Sequence, residues 1–514
     1  MPTGPVLAFH MSMNVHNISS ARAHPTATWQ RVFEKLDRKG PSLNIQIRRS
    51  IVYAIETGLL KSGDRLPSSR QLSNLLSIAR NTVTAAYQML IDEGVLVSRE
   101  RSGIFVADRP VIMRRSVGER QPDSGWSARF AARPSDLRHF NKPRDWLSYP
   151  HPFLYGQFDP TIFPINNWRE AVRVTSSHQE ICGWAGDLID DDDPDLVEQL
   201  CVHVLPKRGI FARPEEVIIT IGSQQALSML VQLLCGPKTK VGVEDPGYPD
   251  MRNMVQLATG DYTLLTMDKD GVVPDDVFAG CDMAYLTPGH QCPTTAIAPL
   301  TRRKALLDHG VAHDVILIED DYEADLLLEN SNELACLKSL DTTGQVIYVG
   351  SFSKALAPGL RIGFIVAHSA VVEELRVLRR LLMRHPPTNN QRILGTFISL
   401  GHYQQHLQKT GLVLARRAGL IAQLLPKYLP QCSWRRDAGA KSFWIRLPEG
   451  CNSRVLESLA REQGVLVEAG DIFFANQEDG ARFMRLGFTS IVESHIETGL
   501  AIIGHLIDQS RTPS

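Results

Sequence analysis

No run of about 18 apolar residues occurs in the 514-residue sequence, which leaves no segment of the length a membrane-spanning helix needs. The opening residues, MPTGPVLAFHMSMNVHNISS, lack a basic stretch followed by a long apolar one, so no secretory signal is expected. Cysteine pairs at CxxC spacing are missing too. The eight cysteines are scattered, a usage that suits reduced thiols rather than a disulfide frame or a zinc site. His402 and His406 have the spacing of a metal pair on a helix, but no third ligand accompanies them and no metal is expected. These absences point to a cytoplasmic protein with no membrane partner. Its length and its 43% hydrophobic content predict two or three packed domains.

Net charge is nearly absent as well, at -1, but the balance is uneven along the chain. Residues 1–107 hold 13 Lys and Arg against 7 Asp and Glu, and residues 108–150 hold 9 against 5, so everything beyond them is acidic. A basic front on an acidic body is the footprint of a nucleic-acid-binding module joined to something else.

Residues 1–27 are polar and aperiodic and are expected to be disordered. From Leu43 the residues Leu43, Ile47, Ile51, Val52 and Ile55 share one helical face that ends at Gly58. Ser68 or Ser69 can cap a second helix, and a third begins at Arg80 with Val83, Ala86, Tyr87 and Leu90 inward and Arg, Asn and Thr outward. Two helices joined by a tight turn, the second with a polar N-terminus, form a helix-turn-helix. VLVSRERSGIFVA then alternates as a hairpin with a basic tip. Residues 108–150, rich in Arg, Pro and Ser, read as a linker whose arginines either add contacts to DNA or are merely solvated.

From Phe153 short β-rich runs (EVIITIG, KVGVEDP, MAYLTPG, VILIEDDY) alternate with helical stretches, which predicts a mostly parallel sheet. Gly222-Ser223-Gln224 ends a strand and opens a helix, a seat for phosphate. Within IYVGSFSKALAPGLRIGF (347–364), Lys354 is the one cation of the first half, placed to be desolvated and nucleophilic. Ser351, Ser353 and Arg361 around it suit a phosphate, and a carboxylate in Glu319-Asp320-Asp321 can pair with a pyridine nitrogen. Lysine, phosphate clamp and carboxylate together describe a site for pyridoxal 5'-phosphate.

RLPSSRQLS, ARNTV and SGIFV make residues 43–107 resemble the winged-helix domain of GntR regulators. YGQFDPTIFP, ITIGSQQAL, VEDPGYP, LTPGHQCPT, IEDDYEADL, VGSFSKALAPGLRIGF and MRLGF resemble the fold-type-I aminotransferase-like domain, in the order found in MocR/GabR-type regulators. The resemblance implies a winged helix (28–107), a linker (108–150) and an α/β aminotransferase-like body (151–514) with a mostly parallel large sheet and a smaller C-terminal α+β part. It implies that Arg70, Arg80, Asn81, Thr82 and Thr84 contact DNA, with Arg101 and Gly103 at the minor groove. Lys354 would form the internal aldimine, Asp320 face the ring nitrogen, Tyr322 the ring hydroxyl, and Tyr248 stack on the ring. Ser223, Gln224, Ser351, Ser353 and Arg361 would hold the phosphate, and Arg485 the acid group of an amino compound.

The implied function is that of a homodimeric regulator which binds double-stranded operator DNA and senses an amino compound, as an external aldimine, or pyridoxal phosphate itself. The alternative is an active aminotransferase with a secondary DNA-binding domain. Two departures from the enzymes favour detection over turnover. Cys292 stands where they place an asparagine, and residues 184–197 alter a stretch that helps form the partner's pocket. The run Asp190 to Asp193 within that stretch reads as a solvated loop rather than a calcium site.

Overall fold

The computed structural model describes residues 24–34, 36–37, 40–100, 102–108, 125–323 and 335–510. The chain divides into two compact units, residues 1–129 and 130–514. The expected disorder of residues 1–23 and the wing-tip Arg101 lie outside the described residues.

In the first unit, α1 (Thr26–Val32) begins inside the stretch expected to be disordered, because Trp29 and Phe33 are buried in the core of this unit. α2 (Leu43–Glu56) buries Ile47 and Ile51 as its periodicity predicts. α3 (Ser69–Leu76) is capped by Ser68, whose Oγ accepts from Gln71 N at 3.2 Å while Gln71 Oε1 accepts from Ser68 N at 2.9 Å. Ser77 in the left-handed region ends α3 and turns the chain into α4 (Arg80–Asp92). The Tyr87 hydroxyl of α4 donates to Pro67 O at 2.9 Å, which ties α4 to the turn before α3. β1 (Leu96–Arg99) and β2 (Gly103–Val106) pair antiparallel as the wing.

The second unit is built on a seven-stranded sheet of β3 (Val217–Thr220), β4 (Val241–Glu244), β5 (Thr263–Leu265), β6 (Met283–Leu286), β7 (Ile316–Asp320), β8 (Val346–Ser351) and β9 (Gly363–Val366). Across the sheet the order is β3-β9-β8-β7-β6-β4-β5, and only β9 runs antiparallel to its neighbours. β3, β4, β7 and β8 are buried along most of their length and read as apolar runs, as strands covered on both faces do. The helix α5 (Gly222–Leu234) follows β3. Beyond the long α6 (His402–Tyr428), β10 (Ser433–Arg435), β11 (Ser442–Arg446), β12 (Glu468–Ala469) and β13 (Phe483–Gly487) form an antiparallel sheet in the order β10-β11-β13-β12, followed by α7 (Glu493–Gln509). No described helix is long and apolar enough to cross a membrane.

Two expectations are corrected. The acidic run is solvated only in its first half: Asp191 is exposed and Asp190 half-buried, but Asp192 is buried against Arg379 (2.6 Å) and Arg376 (3.1 Å), and Asp193 accepts from Leu196 N (3.1 Å) and Arg392 (2.7 Å). Three arginines pull these two carboxylates inward. The last part of the expected linker is not a tether either. Arg138 donates to the carbonyls of Asp471, Phe474 and Ala475, and Phe140 packs on Phe473 with ring centroids 5.2 Å apart. Loop carbonyls left without strand partners attract the guanidinium.

Candidate functional site

In the second unit a cavity of about 180 Å³ is lined by Phe140, Lys142, Tyr155, Ser223, Tyr248, Tyr285, Cys292, Asp320, Tyr322, Lys354 and Arg485. Seven residues singled out from the sequence therefore meet at one place: Ser223, Tyr248, Cys292, Asp320, Tyr322, Lys354 and Arg485. Strand alternation explains why the middle acid of Glu319-Asp320-Asp321 is the one that faces it. Glu319 turns the other way and accepts from the backbone N–H groups of Leu337 and Lys338, at 2.8 and 2.9 Å. Asp321 accepts from Arg208 Nε at 3.0 Å and from the Tyr348 hydroxyl at 3.0 Å.

Asp320 Oδ2 accepts from the Tyr285 hydroxyl at 2.8 Å, delivered by the neighbouring parallel strand β6, while its buried Oδ1 has no partner among the described residues. Burial pushes the Asp320 carboxyl up to about 7, against the pull of the Tyr285 hydrogen bond. Lys354 lies in the loop between β8 and β9. Burial lowers its amine to about 7, helped by the positive charges of Lys142 and Arg485. Its Nζ sits 4.6 Å from the centre of the Tyr155 ring, and Gly156, at φ +74°, makes room for it, since a Cβ there would collide with the amine. The Cys292 thiol is buried and pushed up to about 12, so it is neutral.

The phosphate candidates lie at the start of α5 and in the β8–β9 loop. Gly222 has φ +72°, and a Cβ there would stand 3.1 Å from Arg361 Nη2, so the glycine lets the guanidinium close on the first turn of the helix. Arg361 Nη2 donates to Ile221 O at 3.1 Å. The Ser353 Oγ is buried without a partner among the described residues, and Ser351 Oγ accepts from Ser353 N at 3.2 Å. The Gln224 side chain is committed to the Tyr248 hydroxyl (2.6 Å) and Asp250 (3.1 Å), which leaves its backbone N–H, in the first turn, where no intrahelical carbonyl is available.

Arg485 on β13 stands opposite Glu468 on β12, and its Nε donates to Glu468 Oε2 at 2.7 Å. The guanidinium carbon lies 4.3 Å from the Tyr155 ring centre and 4.5 Å from that of Phe473. The partnerless Asp320 Oδ1 and Ser353 Oγ, the buried amine and the two glycine clearances are features that pyridoxal phosphate would satisfy, with its ring nitrogen, phosphate and aldehyde. Sequence reasoning missed Tyr285, Tyr155, Phe140 and Lys142. Tyr155 opens the YGQFDP motif and Tyr285 sits in a β-rich run, so position alone could have marked those two; nothing in the linker's composition marks the others.

In the first unit Arg70, Arg80, Asn81 and Thr84 are exposed and Thr82 is half-buried. Arg80 Nε is 3.3 Å from Ser69 Oγ, which links the starts of α3 and α4. Gly103 on the wing, at φ +118°, adjoins Arg65, a cation the sequence did not single out.

Residues 188–502 match the model for aminotransferase class I and II, and residues 43–106 match that for bacterial regulatory proteins of the gntR family. The HTH-type transcriptional regulator TauR of Rhodobacter capsulatus is 36% identical over 468 residues, 91% of this chain and 96% of that protein. The probable rhizopine catabolism regulatory protein MocR of Rhizobium meliloti is 30% identical, over 82% of this chain and 85% of its own length. The solved structure of LysN, an alpha-aminoadipate aminotransferase from Thermus thermophilus, is similar with a TM-score of 0.67 and 26% identity, covering 75% of this chain and 98% of the enzyme. With both modules present in one chain and these relatives matched along nearly their whole length, the chain belongs to the MocR/GabR-type subfamily of GntR transcriptional regulators.

Proposed function

We propose that this cytoplasmic protein is a homodimeric regulator that carries pyridoxal phosphate at Lys354 and alters its hold on operator DNA when a small amino compound bearing an acid group enters the same cavity. The observation that carries this reading is the partnerless, buried Asp320 Oδ1 in one cavity with the Lys354 amine, on a chain that also presents Arg80, Asn81 and Thr84 on an exposed reading helix. When bound, the cofactor supplies an aldehyde that condenses with amines. Lys354, with its amine lowered to about 7, is neutral often enough to react near neutral pH. Asp320, through Oδ1, would hold the ring nitrogen, with Tyr322 at the ring hydroxyl and Tyr248 against the ring. Ser351, Ser353, Arg361 and the N–H groups of Ser223 and Gln224 take the phosphate. Arg485 takes the effector's acid group through a planar fork.

DNA recognition rests on α4. Arg80, Asn81, Thr82 and Thr84 divide base and phosphate contacts, Arg70 binds phosphate, and the wing residues Arg101 and Gly103 lie at the minor groove. Two subunits place two such helices on paired half-sites. The test is to sequence the DNA that the purified protein retains, and to measure affinity for it with and without amines. A protein that retains no preferred sequence overturns the reading; multiple turnovers with a keto acid would favour the aminotransferase alternative.

Two expected results follow from the named residues. Arg80→Ala weakens operator binding by about 1 to 3 kcal/mol if the side chain contacts a base, and by less, with a shallower salt dependence, if it contacts only phosphate; unchanged affinity and salt slope would remove Arg80 from the interface. The second concerns pH. Because Lys354 reacts only when neutral, the rate of cofactor attachment at saturating pyridoxal phosphate rises about tenfold per pH unit below 7 and levels off above it. A rate still climbing at pH 9 in stopped-flow absorbance would show an ordinary solvated amine instead.

A further inference from the structure

Lys142 belongs to the stretch expected from the sequence to be linker, yet it lines the same cavity as Lys354 and Arg485. Its Nζ lies 3.0 Å from Glu468 Oε1 and donates to the Tyr155 carbonyl, while the other oxygen of Glu468 receives Arg485 Nε at 2.7 Å. One carboxylate thus holds two cations. Glu468 does not line the Lys354 cavity but an adjoining one of about 340 Å³; Lys142 lines both cavities and Arg485 the Lys354 cavity, so the carboxylate that pairs them stands outside the cofactor side. One negative charge thus faces two positive ones; the excess rests on Lys142, a quarter of whose side chain is exposed, beside the buried Arg485, and a partly desolvated excess charge favours an anionic neighbour. Arg485 and Lys354 lie on the same Tyr155 ring, at 4.3 and 4.6 Å from its centre, so a ligand joining the two is short.

We propose that Lys142 is a second contact for the effector's anionic group, so that the acid end of a short amino carboxylate or amino sulfonate is bound between Arg485 and Lys142. This rests on the reading of the cavity as an effector site and adds to it the residue that selects for charge. Lys142 lies in the segment whose Arg138 and Phe140 already pack on this unit, so a bound acid group would add one more contact to that docked segment.

The test uses the full chain loaded with pyridoxal phosphate and follows its visible spectrum during titration with 3-aminopropanoate, 2-aminoethanesulfonate and, as the control without an acid group, propylamine. Lys142→Met is expected to weaken at least one of the two acidic amines by about 10- to 100-fold and to leave propylamine unchanged, and Lys142→Arg to recover most of the loss. Which acidic amine responds distinguishes carboxylate from sulfonate. Equal weakening of propylamine, or no weakening of either acidic amine, overturns the role of Lys142. A wild-type chain whose spectrum responds to no amine overturns instead the effector reading on which the proposal rests.

Discussion

Lys354→Ala is expected to purify without the visible absorbance of the cofactor-loaded chain, to lose it completely rather than partly, and to bind operator DNA without any response to amines. Two lysines line the cavity, Lys354 and Lys142, and the physical case for the first is specific. Lys354 is buried and its amine is lowered to about 7, which gives it a usable lone pair near neutral pH. Lys142 has its amine engaged by Glu468 and by the Tyr155 carbonyl. Alanine at 354 removes the nucleophile and also an amine whose charge, when it is protonated, favours the ionised Asp320. The winged helix is spared because its core of Ile47, Leu72, Val83 and Leu90 is separate from the cores of the large unit. Reduction of the wild-type adduct with borohydride, followed by peptide mapping, decides the matter: the label is expected on the peptide that contains Lys354, and a label on Lys142 would reverse the two assignments.

What could be seen in the sequence and what could not divides along physical lines. The helix-turn-helix was legible because its signals are local: the Ser68 cap, the inward face of Val83, Ala86, Tyr87 and Leu90, and Gly94 at the end of α4. Lys354, Asp320 and Ser223 were legible because each stands where an apolar strand gives way to small or polar residues, the place in an α/β sheet where sites form. The antiparallel direction of β9 was not, since a buried strand has the same apolar run whichever way it points. Nor was the role of Tyr285: its β-rich run could mark the residue, but its hydroxyl serves Asp320 only because β6 and β7 are adjacent and in register. Lys142 was hidden most deeply: in a stretch of arginines and prolines it has no periodicity to mark it, and only its contact with Glu468, far along the chain, gives it a role. The four-aspartate run misled for the same reason, as its partners Arg376, Arg379 and Arg392 lie on helices distant in sequence.

Asp320 and Asp321 are neighbours on one strand end, and their substitutions are expected to have opposite effects. Asp320 presents a buried oxygen with no partner, and only one hydrogen bond, from Tyr285, offsets the burial of the carboxyl. Such a group costs the empty protein stability, so Asp320→Ala is expected to leave the melting temperature of the cofactor-free chain unchanged or higher. Its cofactor affinity is expected to fall by about two to three orders of magnitude, because a charge-assisted contact to the ring nitrogen is lost in a dry place. Asp321 is also buried, but it is satisfied by Arg208 and Tyr348 on the other face of the strand. Asp321→Ala strands the Arg208 guanidinium without its carboxylate and is expected to cost about 3 to 5 kcal/mol of stability, with little change in cofactor affinity for the fraction that folds. Equilibrium denaturation and pyridoxal phosphate titration of the two variants read out both quantities. If Asp321→Ala loses the cofactor while Asp320→Ala keeps it, the ring nitrogen is held from the other face and the assignment of this strand end is wrong. The contrast arises from alternation alone: a strand that ends in three acids can aim only the middle one at the cavity, and the other two must find partners on the opposite side.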